Sequence, residues 1–192
     1  LVKRLGLGDG QRCVDFGCGT GTFAVAAGKS GAVVEAVDIS RAMLARARRR
    51  AVDHGLRNVH FHYAGFLTYR HEGVPADVVV SQYALHHLPD FWKMPALLNI
   101  AEILKPGGIF YLEDVVFSFP EVDYAREIEA WFERVAKPPG EGFTRQDFAT
   151  HLREEHSTFA WVLERMLERA GFTIEEMDKS DRAYGRYFCR MT

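Results

Sequence analysis

Asp15-Phe16-Gly17-Cys18-Gly19-Thr20-Gly21-Thr22 is the stretch on which the fold turns. It closes a short apolar run, Arg12 to Phe16, and opens directly onto a helical pattern from about Thr22 to Lys29. Glycines at this density permit a tight turn and let a ligand approach the backbone. A turn between a strand and a helix N-terminus lies at the carboxyl edge of a sheet, the place where α/β folds bind ligands.

Outward from that loop, strand-length apolar runs alternate with amphipathic stretches. Ala32 to Val37, Val59 to Tyr63, Asp77 to Ser81 and Ile109 to Val116 read as strands. Ser40 suits the cap of a helix ending near Gly55, and Pro95 suits the first turn of a helix running to about Leu104. Pro106-Gly107-Gly108 reads as the turn before the fifth strand. This alternation predicts right-handed crossovers and a parallel sheet with helices on both faces. The unbroken Val78-Val79-Val80 belongs to a strand buried on both sides.

The last third changes character. Tyr124 to Lys137 carries Ile128, Trp131, Phe132 and Val135 as one stripe, and Pro138-Pro139-Gly140 breaks it. Thr144 and Asp147 resemble a capping box for a helix through Arg153. A further helix, Phe159 to Ala170, is closed by Gly171, and Phe172 to Met177 and Tyr184 to Met191 read as two final strands. One domain over residues 1–192 is expected, with a helical, lid-like insertion at about 118–158.

Composition narrows the class. With 47% hydrophobic and 26% charged residues, the chain is neither disordered, collagen-like nor a coiled coil. No apolar run approaches the roughly 18 residues of a membrane span. No charged-then-apolar leader is visible, and the opening at Leu1 rather than Met points to residues upstream. The net charge of −2 lacks the basic excess of a nucleic-acid binder. Arg46, Arg48, Arg49 and Arg50 oppose Met43, Leu44, Ala47 and Ala51 and read as a solvated helix face. Cys13, Cys18 and Cys189 are odd in number and show no Cys-x-x-Cys spacing, which suits a reducing, cytoplasmic compartment.

Several ligands compete for the glycine loop. A P-loop needs a Lys that is missing here, and a dinucleotide loop wants a third glycine where Thr22 stands. Asp15, two residues before Gly17, repels a pyrophosphate but suits the ammonium of an amino-acid moiety. S-adenosylmethionine carries such a group and no phosphate; a plain glycine turn is the alternative. Asp38 ends the second strand and can accept from both ribose hydroxyls, or help cap the helix after Ser40. Ile39 and Met43 can cover one face of an adenine, and Gly65 with Phe66 can flank the other, although both Met43 and Phe66 also suit the core. Ser81 and Gln82 lie at the same sheet edge. Metal binding at His86 and His87 is not expected, because adjacent side chains on a regular element face different ways.

Four segments in order carry a resemblance: Asp15-Phe-Gly-Cys-Gly-Thr-Gly, Val37-Asp38-Ile-Ser, Val80-Ser-Gln-Tyr-Ala-Leu-His-His-Leu-Pro and Leu104-Lys-Pro-Gly-Gly. Together they resemble the class I S-adenosylmethionine-dependent methyltransferases, of the type called methyltransferase domain 11 or 25. The resemblance covers about residues 10–115. It implies a Rossmann-like, doubly wound α/β sheet of order 3-2-1-4-5-7-6 with strand 7 antiparallel. It also implies that Asp15, Gly17, Cys18 and Gly19 receive the cofactor's amino-acid end, and that Asp38, Ile39, Ser40 and Met43 meet its ribose and adenine. Gly65 and Phe66 would flank the adenine, and Ser81 and Gln82 would line the methionine side. The family's acid after Gly65 is missing here, so adenine would rest on backbone groups.

Methyl transfer from a sulfonium needs alignment more than a catalytic group. A general base enters only for a hydroxyl or a protonated amine, and Tyr83, His86, Asp114 and His156 are the candidates, with Glu113 behind them. The expected acceptor is a small molecule, with no nucleic-acid or membrane partner, acted on by a monomer or homodimer. A silent cofactor-binding module and a nicotinamide-dependent oxidoreductase are the competing classes.

Overall fold

The computed structural model describes residues 1–192. Strands β1 (Arg12–Phe16), β2 (Val33–Asp38), β3 (Val59–Tyr63) and β4 (Ala76–Gln82) alternate with α1 (Thr22–Lys29) and α2 (Arg41–Asp53). Then follow α3 (Asp90–Ile103), β5 (Leu104–Phe117), α4 (Tyr124–Val135), α5 (Arg145–Glu154), β6 (Thr158–Phe159), α6 (Ala160–Arg169), β7 (Phe172–Asp178) and β8 (Tyr184–Met191). The sheet runs β3-β2-β1-β4-β5-β8-β7, with β6 paired to β5 off that path. The first five strands are parallel, and β8 is antiparallel to both β5 and β7. This is the expected order, with the two-residue β6 counted.

Strands buried on both faces explain the lack of alternation in the sequence. Val14, Phe16 and Val79 pack with Leu97, Ile100 and Leu163 on one side of the sheet. Cys13, Val34 and Val78 pack with Ala24, Ala27 and Leu44 on the other. Each fully buried Leu, Ile or Phe contributes about 1.5–3 kcal/mol relative to exposure. A third, smaller cluster lies under residues 118–158, where Phe117, Phe119, Trp131 and Phe132 meet Val115 and Ala183. The stripe on α4 is therefore core at Trp131 and Phe132, while Tyr124 and Phe143 are exposed. The Thr144–Asp147 capping box forms as expected. No helix is long and apolar enough to cross a membrane.

One proline signal misleads, and a second holds in altered form. Pro95 lies inside α3 rather than in its first turn. The helix opens at Asp90, where the Pro89 carbonyl accepts from Trp92 (2.8 Å) and Lys93 (3.0 Å). Pro95 leaves free the carbonyl of Phe91, an exposed residue, so water can take the missing partner's place. Pro106-Gly107-Gly108 falls within the span of β5 but stays unpaired, with Gly107 at φ +73°, and regular pairing begins at Ile109 as expected. The irregularity is absorbed as a register shift opposite Ala76 and Val78.

Candidate active site

A cleft of about 560 Å³ opens beside the glycine loop, lined from the carboxyl ends of β1, β2 and β4 and from residues 64–68. The loop is clamped from beneath: the amides of Gly17 and Cys18 both donate to the Val37 carbonyl, at 2.8 and 3.1 Å. Gly17 and Gly19 serve different needs. A Cβ on Gly17 would lie 2.3 Å from the Ala84 Cβ, so this glycine lets the loop close against the turn after β4. Gly19, at φ +52°, has only the Gly17 carbonyl at 4.0 Å, so its missing side chain is open space on the cleft wall.

Asp38 holds the backbone on both sides of the cleft, at the glycine loop and at the start of α2. Its Oδ2 accepts from the Gly19 amide at 2.8 Å and its Oδ1 from the Ser40 amide at 2.7 Å. A carboxylate has about four acceptor sites, so lone pairs remain for a ligand in the cleft that Asp38 lines. Ser40 in turn caps α2 by accepting from the Met43 amide.

Gly17, Gly19, Asp38, Ile39, Ser40, Met43, Gly65, Phe66 and Tyr83 line the cleft together. Asp15, Cys18, Ser81 and Gln82 are not part of that lining. Asp15 accepts from the Ala24 amide in the first turn of α1, and burial with the nearby Asp38 charge pushes its pKa up to about 8. Its Oδ2 and the Ser81 Oγ are buried without a hydrogen-bond partner. A buried orphan costs about 1–3 kcal/mol, and the two lie on neighbouring strands near their carboxyl ends, where Asp15 pairs with Val80 and Ser81 with Phe16. That pair of unpaired oxygens fits a ligand that brings its own polar groups. Cys18 is buried, and desolvation raises its thiol pKa. Phe66 is both wall and core, stacked on Phe16 with ring centroids 4.9 Å apart.

Gln82 and Tyr83 are held by one carboxylate. Glu113 accepts from Gln82 (2.7 Å), Tyr83 (3.1 Å), Tyr111 (3.1 Å) and Arg186 (2.8 Å). Burial opposes its charge, but these donors win and hold its pKa below the ordinary value. Tyr83 sits at φ +53°, uncommon for an aromatic, and this clamp over-determines it. Burial and then the Glu113 charge push the Tyr83 phenol up to about 12, so it is a hydrogen-bond donor and not a base near neutrality.

His86 and Asp114 lie beneath the cleft rather than on its wall. The Asp114 carboxylate takes the His86 Nδ1 and, at 3.1 Å, the His86 backbone amide. The other nitrogen, Nε2, lies 2.9 Å from Glu155. Burial disfavours the imidazolium, but the Asp114 bond and the two carboxylates outweigh it and raise the His86 pKa. His156 contributes backbone only: its amide donates to the His86 carbonyl at 2.8 Å and its carbonyl accepts from Lys93.

Of the two adjacent histidines, sequence reasoning chose His86 as the site candidate, whereas His87 is the one that lines the cleft. Burial and then the neighbouring His86 charge lower its pKa, favouring the neutral ring. The expectation that His86 and His87 diverge also fails. Leu85 to His87 form a 3₁₀ turn, and the two rings lie 4.3 Å apart between centroids. Glu155 was overlooked, because the chain brings it back from after α5, far away in sequence.

Comparison with known proteins agrees with this geometry. Residues 13–108 match the family described as methyltransferase domain. The chain is 32% identical over 160 residues to 27-O-demethylrifamycin SV methyltransferase of Amycolatopsis mediterranei, covering 80% of this chain and 56% of that protein. It is 30% identical over 191 residues to demethylmenaquinone methyltransferase of Lactococcus lactis subsp. lactis, covering 93% of this chain and 72% of the relative. An S-adenosylmethionine-dependent methyltransferase from Mesorhizobium loti shares the fold with a TM-score of 0.72 at 21% identity, over 98% of this chain and 95% of that one. The β3-β2-β1-β4-β5-β8-β7 sheet and the cleft at its carboxyl edge thus occur in a chain that belongs to the class I S-adenosylmethionine-dependent methyltransferases.

Proposed function

We propose that this chain methylates a small-molecule acceptor in the cleft beside Tyr83 and His87. The observation that carries the reading is one cleft that joins the glycine loop, Asp38 and the apolar residues Ile39, Met43 and Phe66 to those two polar side chains. The relatives named for rifamycin and demethylmenaquinone methylation act on small molecules, which supports the same class here.

S-adenosylmethionine supplies a methyl group made electrophilic by the sulfonium charge. The chain's residues hold and orient the reactants. Asp38 receives the ribose hydroxyls, since its fixed carboxylate keeps lone pairs free. Ile39, Met43 and Phe66 enclose the adenine, and residues 64–68 offer it backbone groups in place of an acid. Asp15 Oδ2 and Ser81 Oγ supply acceptors towards the amino-acid end. Tyr83 and His87 face the acceptor, with Tyr83 fixed by Glu113 and His87 kept neutral. Such alignment can remove roughly 7–11 kcal/mol of barrier without a dedicated base.

The test is S-adenosylhomocysteine production from S-adenosylmethionine with a panel of phenols, quinols, alcohols and amines. Turnover with at least one of them is expected. Retained cofactor binding with no turnover on any of them would replace the reading with a silent binding module.

A further inference from the structure

We propose that His86, His87 and Glu155 form a binding site for a divalent transition-metal ion of the zinc type beside the cleft, which His87 lines. One ligand atom from each residue lies within 4.8 Å of the others. In a tetrahedral zinc site, bonds of about 2.0–2.2 Å place neighbouring ligand atoms roughly 3.3 Å apart. Glu155 Oε2 lies 2.9 Å from His86 Nε2 and 3.8 Å from His87 Nδ1, on either side of that value. The 3₁₀ turn already holds the two rings together, with centroids 4.3 Å apart.

A second observation concerns the tautomer. Asp114 is 2% exposed and bonds His86 Nδ1. With a proton held there, Nε2 is the nitrogen that gives up its own proton to a metal ion, which takes that proton's place between Nε2 and Glu155. A buried carboxylate behind a ligating imidazole is the arrangement that orients metal-bound histidines and raises their basicity. Glu155 is itself steadied by His151, whose Nδ1 lies 2.5 Å from it and whose Nε2 meets the Ser157 hydroxyl at 2.8 Å. The nearby Lys93 ammonium is neutralised by Asp90 at 2.7 Å and engaged by the His156 carbonyl.

Two imidazoles and one carboxylate suit zinc or a similar ion better than calcium or magnesium, which prefer oxygen alone. Three protein ligands leave a fourth position for water or another ligand. His86 and His87 come from the turn after β4, whereas Glu155 follows α5. A bound ion therefore ties the 118–158 segment to the sheet edge. Metal binding does not depend on methyl transfer, so the two readings fail separately.

The experiment titrates the chelator-treated full chain with Co²⁺ and then Zn²⁺, followed by calorimetry and Co²⁺ visible absorption. The expected result is one ion per chain, lost in both His87→Ala and Glu155→Gln and unchanged in His60→Ala, an exposed control. Asp114→Asn is expected to weaken binding by about 10–100-fold. Circular dichroism and melting confirm that each variant is folded; His87 is more than half exposed, so its removal leaves the core intact. No stoichiometric ion in the wild type overturns the proposal. So does binding that survives in the folded His87→Ala and Glu155→Gln variants, which assigns the ion elsewhere.

Discussion

Gly17→Ala and Gly19→Ala separate the two duties of the glycine loop. At Gly17 the new methyl meets the Ala84 Cβ at 2.3 Å, on a backbone with φ +67°. Left-handed geometry costs a side chain about 1–2 kcal/mol, and overpacking adds about 1–3 kcal/mol. For a domain of this size each kcal/mol lowers Tm by roughly 2–4 °C. Gly17→Ala is thus expected to lose about 2–5 kcal/mol and roughly 4–20 °C. At Gly19 the methyl meets nothing closer than 4.0 Å, so only the backbone strain of about 1–2 kcal/mol applies. That methyl instead occupies the cleft, and S-adenosylhomocysteine affinity is expected to fall about tenfold or more. Thermal melting and calorimetric titration of both variants supply the two readouts. Adding Ala84→Gly removes the clash partner, so it is expected to raise the Tm of Gly17→Ala but not that of Gly19→Ala. A Gly19→Ala variant less stable than Gly17→Ala, or no rescue by Ala84→Gly, refutes this division.

Asp15 has a folded pKa near 8, against about 3.9 when unfolded. Its contribution is therefore complete below the unfolded value and is lost as pH rises through the folded one. Melting of the cofactor-free chain against pH is expected to show Asp15→Asn gaining on the wild type up to about pH 8 and then levelling; parallel curves contradict that. Glu113 has the opposite sign, because its lowered folded pKa places its contribution above the unfolded value, with loss on acidification. Glu113→Gln is expected to cost about 1–3 kcal/mol near neutrality, a discounted range because Arg186 is half exposed. The difference from wild type should close as pH falls below about 4. Trp131→Ala empties the centre of the 118–158 cluster at a cost of about 3–5 kcal/mol. Limited proteolysis is expected to cut within 118–158 first; initial cutting in the sheet contradicts an independent local cluster.

The sequence spoke most clearly where local chemistry and tertiary packing agree. α1 and β3 fall on their expected residues because glycine turns and apolar runs bound them on both sides. The Thr144 cap was readable because its partner Asp147 is three residues away. Pro95 misled because the exposed start of α3 lets the helix run through it, whereas Pro106-Gly107-Gly108 forms an unpaired excursion that pairing with β4 and β8 closes off at Ile109. Asp38 was legible as an acid at a strand end, but its hold on the Gly19 amide depends on how the loop closes. His86 and His87 were visible as a pair, yet only a 3₁₀ turn turns their rings together. Glu155 reaches them through a contact that no local pattern encodes. His156 drew attention through its ring, whereas the fold uses its backbone.

A crystal structure of the chain grown with S-adenosylhomocysteine tests the cofactor assignment most directly. The expected density places the ribose on Asp38, the adenine between Met43 and Phe66, and the sulfur facing Tyr83 and His87. A nucleoside bound elsewhere, or Asp38 without a ribose contact in an occupied cleft, contradicts it.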